Sequence, residues 1–168
     1  MIMVADAIRL ALFPAMMAFA ASSDLLTLTI SNRVSLILVG GFVALAVIGG
    51  VSAADILSHL AAGCVVLVAA FGLFARGIGG GDAKLAAATA LWLGFDHLLA
   101  YLLYASLLGG ALSVGLIWFR MAPLPDWLAR HDWAQRLHGK DAGVPYGIAL
   151  AAAALAVYPQ TPWMATAT

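Results

Sequence analysis

Charged residues are scarce in this sequence, and glutamate is absent altogether. Only 10% of its 168 residues are charged, whereas a soluble domain usually carries about 25%. So few charges cannot cover a soluble globule. The 64% hydrophobic content therefore indicates a membrane protein with a single domain, residues 1–168, surrounded mainly by lipid. The formal net charge is zero, so we expect no nucleic-acid partner.

Cysteine is nearly absent as well. With Cys64 as its single cysteine, the chain can form no intrachain disulfide and no cysteine-rich metal site. Cys64 lies in the apolar run GCVVLVAAF, where we expect it to serve as a small buried residue. The sequence predicts neither a bound metal nor any other cofactor.

Long apolar runs, by contrast, are abundant. Polar or glycine-rich breaks separate six of them, at residues 3–21, 34–51, 56–75, 83–93, 97–119 and 144–158. They predict an all-α polytopic protein with about six transmembrane helices. The first run also contains an A-x-A pattern typical of signal-peptidase sites, but Asp6 and Arg9 leave no net positive charge ahead of it. A retained first helix is therefore the favoured interpretation.

The basic residues predict the orientation of these helices. Seven of the eight Lys and Arg residues lie in or beside the loops after the first, third and fifth runs, and Arg9 is the exception. Short cytoplasmic loops carry an excess of positive charge in membrane proteins. These loops are therefore predicted to be cytoplasmic, with both chain termini on the opposite side of the membrane.

The longest of these loops, about residues 120–143, contains a further helical pattern. Two prolines precede Asp126, and aspartate is a residue type that caps helices. A stripe of residues at helical spacing follows: Trp127, Trp133, Ala134 and Leu137. The pattern predicts a short helix on the cytoplasmic membrane surface, which could cover a site or simply connect two spans.

Two of the eight aspartates differ from the rest because they lie at the cytoplasmic edges of spans. The other six lie in the long loop or near the outer ends of spans, where solvation or helix capping accounts for them. Asp24 follows the first span and Asp82 precedes the fourth, so both face the same side of the membrane. An ionisable residue at membrane depth costs roughly 2.5–3.5 kcal/mol on insertion scales, which makes the pair a candidate functional site.

Three consecutive glycines precede Asp82. Gly79, Gly80 and Gly81 lack a Cβ atom, so a substrate backbone could lie close against them. The span that follows, residues 83–93, rises only about 16 Å at 1.5 Å per residue, whereas the hydrocarbon core of a bilayer is about 30 Å thick. Asp82 is therefore predicted to lie below the cytoplasmic surface, in a thinned or water-filled recess.

A pair of carboxylates in such a recess suits proteolysis. The two groups cannot both ionise easily, so they can share one proton. One carboxylate can then accept a proton from water while the other donates one to a scissile carbonyl, without a metal. The alternative is structural: Asp82 caps the next helix, Asp24 ends the previous one, and Lys84 anchors a helix end at the interface.

Three motifs resemble the type IV prepilin peptidases, the intramembrane aspartyl proteases that trim pilin leaders. GGGDAKL matches their GxGD motif, SDLLTLTISN matches their first aspartate motif, and VPYGIALAAA resembles the start of their last span. The short CpaA/TadV-like branch, which serves Flp-type pili, is the most similar. The resemblance implies that Asp24 and Asp82 are catalytic. Supporting or substrate-binding positions are then Ile30, Asn32, Gly79, Gly80, Gly81, Lys84, Pro145 and Gly147.

The resemblance also implies an activity and a location. The protein would be an aspartic endopeptidase of the bacterial inner membrane that cleaves prepilins or pseudopilins at the cytoplasmic face. Its substrate would carry a short basic leader ahead of an apolar helix. This sequence departs from the family at Ser31, where proline is common, and after Asp24, where LLTLT replaces a basic stretch. The cysteine-containing insert of bifunctional relatives is absent, so neither methyltransferase activity nor a zinc site is expected.

Other functions stay open at this point. A presenilin-like enzyme shares GxGD, although the small size and the VPYG element argue against it. An ion- or proton-coupled transporter would use the aspartate pair as a cation site, although both acids lie near one face and no inverted repeat is visible. A non-catalytic assembly subunit would use the small residues for helix packing. The sequence specifies neither the pilin nor the oligomeric state.

Overall fold

A computed structural model of the protein describes residues 2–74 and 79–165, and it is helical throughout its regular structure. The helices are α1 (Ile2–Thr27), α2 (Asn32–Ile48), α3 (Ala53–Phe74), α4 (Gly80–Met121), α5 (Asp132–His138), α6 (Tyr146–Val157) and α7 (Pro162–Ala165). A single 3₁₀ turn, Tyr158–Gln160, joins α6 to α7 within this part of the chain.

Three of these helices, α1, α3 and α4, are long and apolar enough to cross a membrane. The apolar segments Asn32–Ile48 and Tyr146–Gln160 are shorter. Large apolar side chains also point outward, as at Val68 and Leu99, which are 73% and 80% exposed. Exposed apolar surface on this scale suits lipid rather than water. The prediction of an all-α polytopic membrane protein is confirmed.

Helix α4 consists of two arms that meet at Gly94. This glycine has φ 66° and ψ −178°, a backbone region that residues with a Cβ atom essentially do not enter. The arm before it ends with carbonyl groups that lack helical partners. Side chains supply them: His59 Nδ1 donates to the Leu91 carbonyl at 2.8 Å, and Trp163 Nε1 donates to the Trp92 carbonyl at 2.8 Å. We call Gly80–Leu93 arm A and Phe95–Met121 arm B.

The two arms run in opposite directions. Arm A begins beside the α1–α2 connection, because Gly81 approaches Ile30. Arm B passes the start of α6, where Gly109 leaves room for the ring of Tyr146. Helices α1, α2, α3, α6 and the two arms therefore account for the six predicted apolar segments. These helices share two ends. We call the end where α2, arm A and α6 begin the basic end, after the basic residues of its loops, and the opposite end the aromatic end, after its cluster of rings.

The aromatic end is closed by a cluster of large rings: Phe13, Phe42, Trp92, Tyr158 and Trp163. Trp92 lies at its centre, 5.2 Å from both Phe13 and Trp163 between ring centroids. Its indole N–H donates to the Leu38 carbonyl at 2.9 Å. The cluster thus joins α1, α2, arm A and the C-terminal segment.

Two sequence predictions about helix limits are wrong. Helix α1 continues to Thr27 instead of ending near residue 21. In the long loop, Asp126 caps no helix, because the N–H groups of Leu128 and Ala129 both donate to the Pro125 carbonyl and close a turn. Helix α5 begins only at Asp132, and it leaves Trp127 outside and 68% exposed.

A third prediction, that Cys64 is buried, is also wrong. The side chain is exposed on α3. Hydropathy does not separate residues that face lipid from residues that face the protein interior, because both are apolar. The error therefore concerns the direction of the side chain and leaves the span unaffected.

Candidate active site at the basic end

Asp24 lies in the last turn of α1 and is only 5% exposed. The backbone N–H of Gly147, at the start of α6, donates to its Oδ2 atom at 2.7 Å. Helix α1 stops just beyond it: Leu28 adopts φ 55°, and its N–H donates to the Asp24 carbonyl at 2.8 Å. The last turn of α1 therefore presents a buried carboxylate to the first turn of α6.

Asp82 is the third residue of arm A and is half-buried. The N-cap of the arm is Gly79, so the structural alternative in which Asp82 caps this helix does not hold. Its side chain instead turns back over Gly79, where an added Cβ atom would lie 2.9 Å from Asp82 Oδ2. Asp82 also lies close enough to Asp24 for the two carboxyl groups to interact electrostatically.

The two carboxyl groups line one pocket of about 250 Å³. Gly79, Gly80 and Gly81 form the wall contributed by arm A. The α1–α2 connection forms the opposite wall with Leu28, Thr29 and Ile30. The structure thus brings together two acids that are 58 positions apart in the sequence (82 − 24).

Ile30 lies between two helix starts that approach closely because each has a glycine. A Cβ atom at Gly81 would lie 3.2 Å from Ile30 Cβ. A Cβ atom at Gly147 would lie 2.7 Å from Ile30 Cδ1 and 2.8 Å from Asp24 Oδ2. Pro145 is buried and is the N-cap residue of α6. These motif positions therefore shape the walls of the pocket and the surroundings of Asp24.

Asn32 and Lys84 form a direct link between α2 and arm A. The Lys84 ammonium group donates to Asn32 Oδ1 at 2.8 Å. The sequence analysis gave Lys84 as an interface anchor and both residues as motif positions, without a contact between them. Ser31 replaces the proline that is common in the family motif, and it is the N-cap of α2. Its φ of −65° is the angle that a proline would impose. The serine therefore satisfies the same backbone requirement.

Two buried polar residues of α4, Thr89 and Tyr101, escaped the sequence analysis. Tyr101 of arm B is fully buried, and its hydroxyl makes no hydrogen bond within the described residues. It lies near the side chain of Thr89 and within electrostatic range of Asp82. The signal available for Thr89 was its position seven residues after Asp82, on the same helix face. No such signal existed for Tyr101, because its proximity to Thr89 and Asp82 depends on the reversal of the chain at Gly94.

Among the described residues, no group of three or more His, Cys, Asp or Glu side chains could hold a metal ion. The polar side chains that line the pocket are the two carboxylic acids and Thr29. This arrangement can move protons and orient a water molecule.

A sequence model of the type IV leader peptidase family matches residues 11–114, more than half of the 168-residue chain. The chain belongs to this family. The matched region contains both Asp24 and Asp82 but ends before α6. No curated protein and no solved structure matches the chain significantly. The resemblance to prepilin peptidases is thereby confirmed at the level of the family, and assignment to the CpaA/TadV-like branch stays a prediction.

Proposed function

We propose that this leader peptidase family member is an intramembrane aspartic endopeptidase of the bacterial inner membrane. It removes the leader of Flp-type prepilins or pseudopilins at the cytoplasmic face, as in the short CpaA/TadV-like branch. The observation that carries the proposal is the shared pocket of Asp24 and Asp82, formed where α1 ends and arm A and α6 begin.

The chemistry follows from the two acids. One carboxylate accepts a proton from a water molecule in the pocket, and the water oxygen attacks the scissile carbonyl. The other carboxyl group donates its proton to the carbonyl oxygen, which gives a gem-diol intermediate. As the C–N bond breaks, the carboxyl group protonated by the water passes that proton to the leaving amine, and the other carboxylate takes a proton back from the gem-diol. The bond from the Gly147 N–H to Asp24 Oδ2 fixes one carboxylate oxygen of Asp24, so the second oxygen is available to the water.

The helix lengths support cleavage below the membrane surface. Arm A, Gly80–Leu93, rises about 21 Å, whereas arm B, Phe95–Met121, rises about 40 Å, at 1.5 Å per residue. Gly109, at the level of α6's first turn, is 12 residues before Met121, so arm B extends about 18 Å beyond the site. The acids would then lie in a recess that water and an unwound leader enter from the basic end.

Co-expression with a Flp-type prepilin tests the proposal. The readout is the gel shift that accompanies leader removal, measured for the unmodified protein, Asp24→Asn and Asp82→Asn. Each asparagine keeps the size of the side chain but cannot exchange the proton, so we expect cleavage by the unmodified protein only. Asp96→Asn is the matched control, because Asp96 is exposed on arm B at the aromatic end.

Two results would contradict the proposal. Continued cleavage by either asparagine variant at equal expression would exclude a two-aspartate mechanism. Failure of the unmodified protein to cleave any Flp-type prepilin would exclude the substrate class, and aspartate-dependent ion flux would then favour a transporter.

A further inference from the structure

A groove lies between α2 and α3, and arm A also contributes to its lining. Both helices pack against α4. At the aromatic end, α2 and α3 meet through Phe42 and His59, whose rings stack with centroids 5.3 Å apart. Towards the basic end a cavity of about 270 Å³ opens between them. We call this cavity the α2–α3 groove; its lining includes Ser35, Val39, Cys64, Leu67, Lys84 and Ala88.

The lining of the groove is apolar, with polar groups at one end. Its floor contains Ala87 and Ala88, and Gly63 on α3 contributes no side chain. Small residues of this kind let another helix approach closely in a membrane. Ser35 provides a hydroxyl oxygen that is buried and has no hydrogen-bond partner within the described residues. Lys84, also in the lining, is two residues from Asp82, so the groove and the catalytic pocket share the first turns of arm A.

We infer that the α2–α3 groove receives one face of the substrate's apolar helix and sets which bond reaches Asp24 and Asp82. This inference rests on the proposed function. The groove is too small for a whole helix but suits the side chains of its first two turns, which enter sideways from the lipid. The start of a helix has N–H groups without partners, and rotation of the Ser35 side chain would turn its buried oxygen to accept from one of them. A lipid chain would leave this hydroxyl unpaired.

Cys64 makes the groove directly testable, because it is the only cysteine in the chain and is exposed in the lining. Single cysteines are placed along the first three turns of a Flp-type prepilin helix. Each precursor is co-expressed with the Asp82→Asn variant, and disulfide formation is driven by mild oxidation. We expect cross-links at positions three or four residues apart, since one helix face enters the groove. A Cys64→Ser, Leu99→Cys protein is the control, with its cysteine 80% exposed on arm B.

Cleavage by an otherwise unmodified protein gives a second readout. Cys64→Trp fills the groove, so we expect at least a tenfold loss of prepilin cleavage. Val65→Trp is matched to it, because Val65 is the next residue of α3, is 54% exposed and is absent from the lining. It should cleave within twofold of the unmodified protein. Expression level and the thermal midpoint in detergent report whether each variant has folded.

The outcomes separate the groove from the proposed function. Cleavage by the unmodified protein without periodic cross-links to Cys64 would overturn the groove alone. Periodic cross-links without cleavage would support the groove and overturn the peptidase assignment. Cross-links of equal yield at Leu99→Cys would overturn the groove in favour of chance collisions. Cross-links only between two copies of the protein through Cys64 would overturn it in favour of a second copy as the occupant.

Discussion

The two ends of this helix bundle are built from opposite kinds of residue. At the aromatic end, five large rings pack together, and the indole N–H groups of Trp92 and Trp163 both reach backbone carbonyls. At the basic end, glycines bring helix starts together around two acids and an open pocket. A buried acid and an unfilled pocket lower stability, so the comparison indicates that the aromatic end stabilises a fold whose other end is shaped for function.

The largest expected effect on stability lies at the aromatic end. Trp92→Ala removes the central ring of the cluster and the bond to Leu38, and we expect a loss of about 3–5 kcal/mol in the free energy of unfolding. Reversible unfolding in detergent measures it. Trp118→Ala, on a ring that is 72% exposed, is the control. We expect Trp92→Ala to leave the rate of prepilin cleavage per folded molecule within about threefold of the unmodified protein. A larger loss would contradict the assignment of stability to the aromatic end and function to the basic end.

The largest effect at the basic end is expected at Gly147, which packs against two residues of the pocket lining, Asp24 and Ile30. Valine there would press on Ile30 and Asp24, because even a Cβ atom lies within 2.8 Å of each. Helix α6 must then shift, and the bond to Asp24 Oδ2 is lost. A displacement near 1 Å can cost about 100-fold in rate, so we expect about that loss of prepilin cleavage, with the thermal midpoint changed far less than by Trp92→Ala.

Gly110→Val is the control for this change. Gly110 lies on arm B, and no atom is within 4 Å of a Cβ built there. Its cleavage rate should stay within a factor of about two of the unmodified protein. Full activity of Gly147→Val would show that the close approach of α6 is unnecessary for the reaction.

An intermediate effect is expected at Gly94, where arm A turns into arm B. Alanine at φ 66° and ψ −178° costs of order 1–3 kcal/mol in backbone strain. Its Cβ atom would also lie 2.9 Å from His59 Cε1. Gly115→Ala, in open space on arm B, should instead leave stability unchanged or slightly higher. Equal unfolding free energies for the two variants would contradict the strained reversal.

The sequence predicted the helical segments well because lipid-facing and buried residues are both apolar and the breaks between them are polar or glycine-rich. It ended α1 too early, because Ser22 and Thr27 look like loop residues. Their hydroxyl groups in fact donate to the carbonyls of Ala18 and Ser23, four residues earlier, which allows the helix to continue past Asp24.

The candidate site was predictable only in part. Asp24 follows the first predicted span and Asp82 precedes the fourth, which placed both acids on one side of the membrane. The family resemblance gave Gly147 only as a motif position. Its contact with Asp24, 123 residues away, could not be predicted, because no spacing rule joins two such distant helix ends. Tyr101 and the α2–α3 groove could not be predicted, because both depend on how helices reverse or diverge in three dimensions.

The smallest expected effect concerns the link between Asn32 and Lys84, at the boundary between the pocket and the groove. The bond is partly exposed to solvent, so its contribution to stability should be at most about 1 kcal/mol. Lys84→Met, Asn32→Ala and the double variant form a cycle that isolates this coupling. If the link also sets the spacing of α2 and arm A, each single variant lowers prepilin cleavage several-fold and the double variant loses little more. Fully additive losses of cleavage would mean that the two side chains act separately, and the basic end would then lack this link between its pocket and its groove.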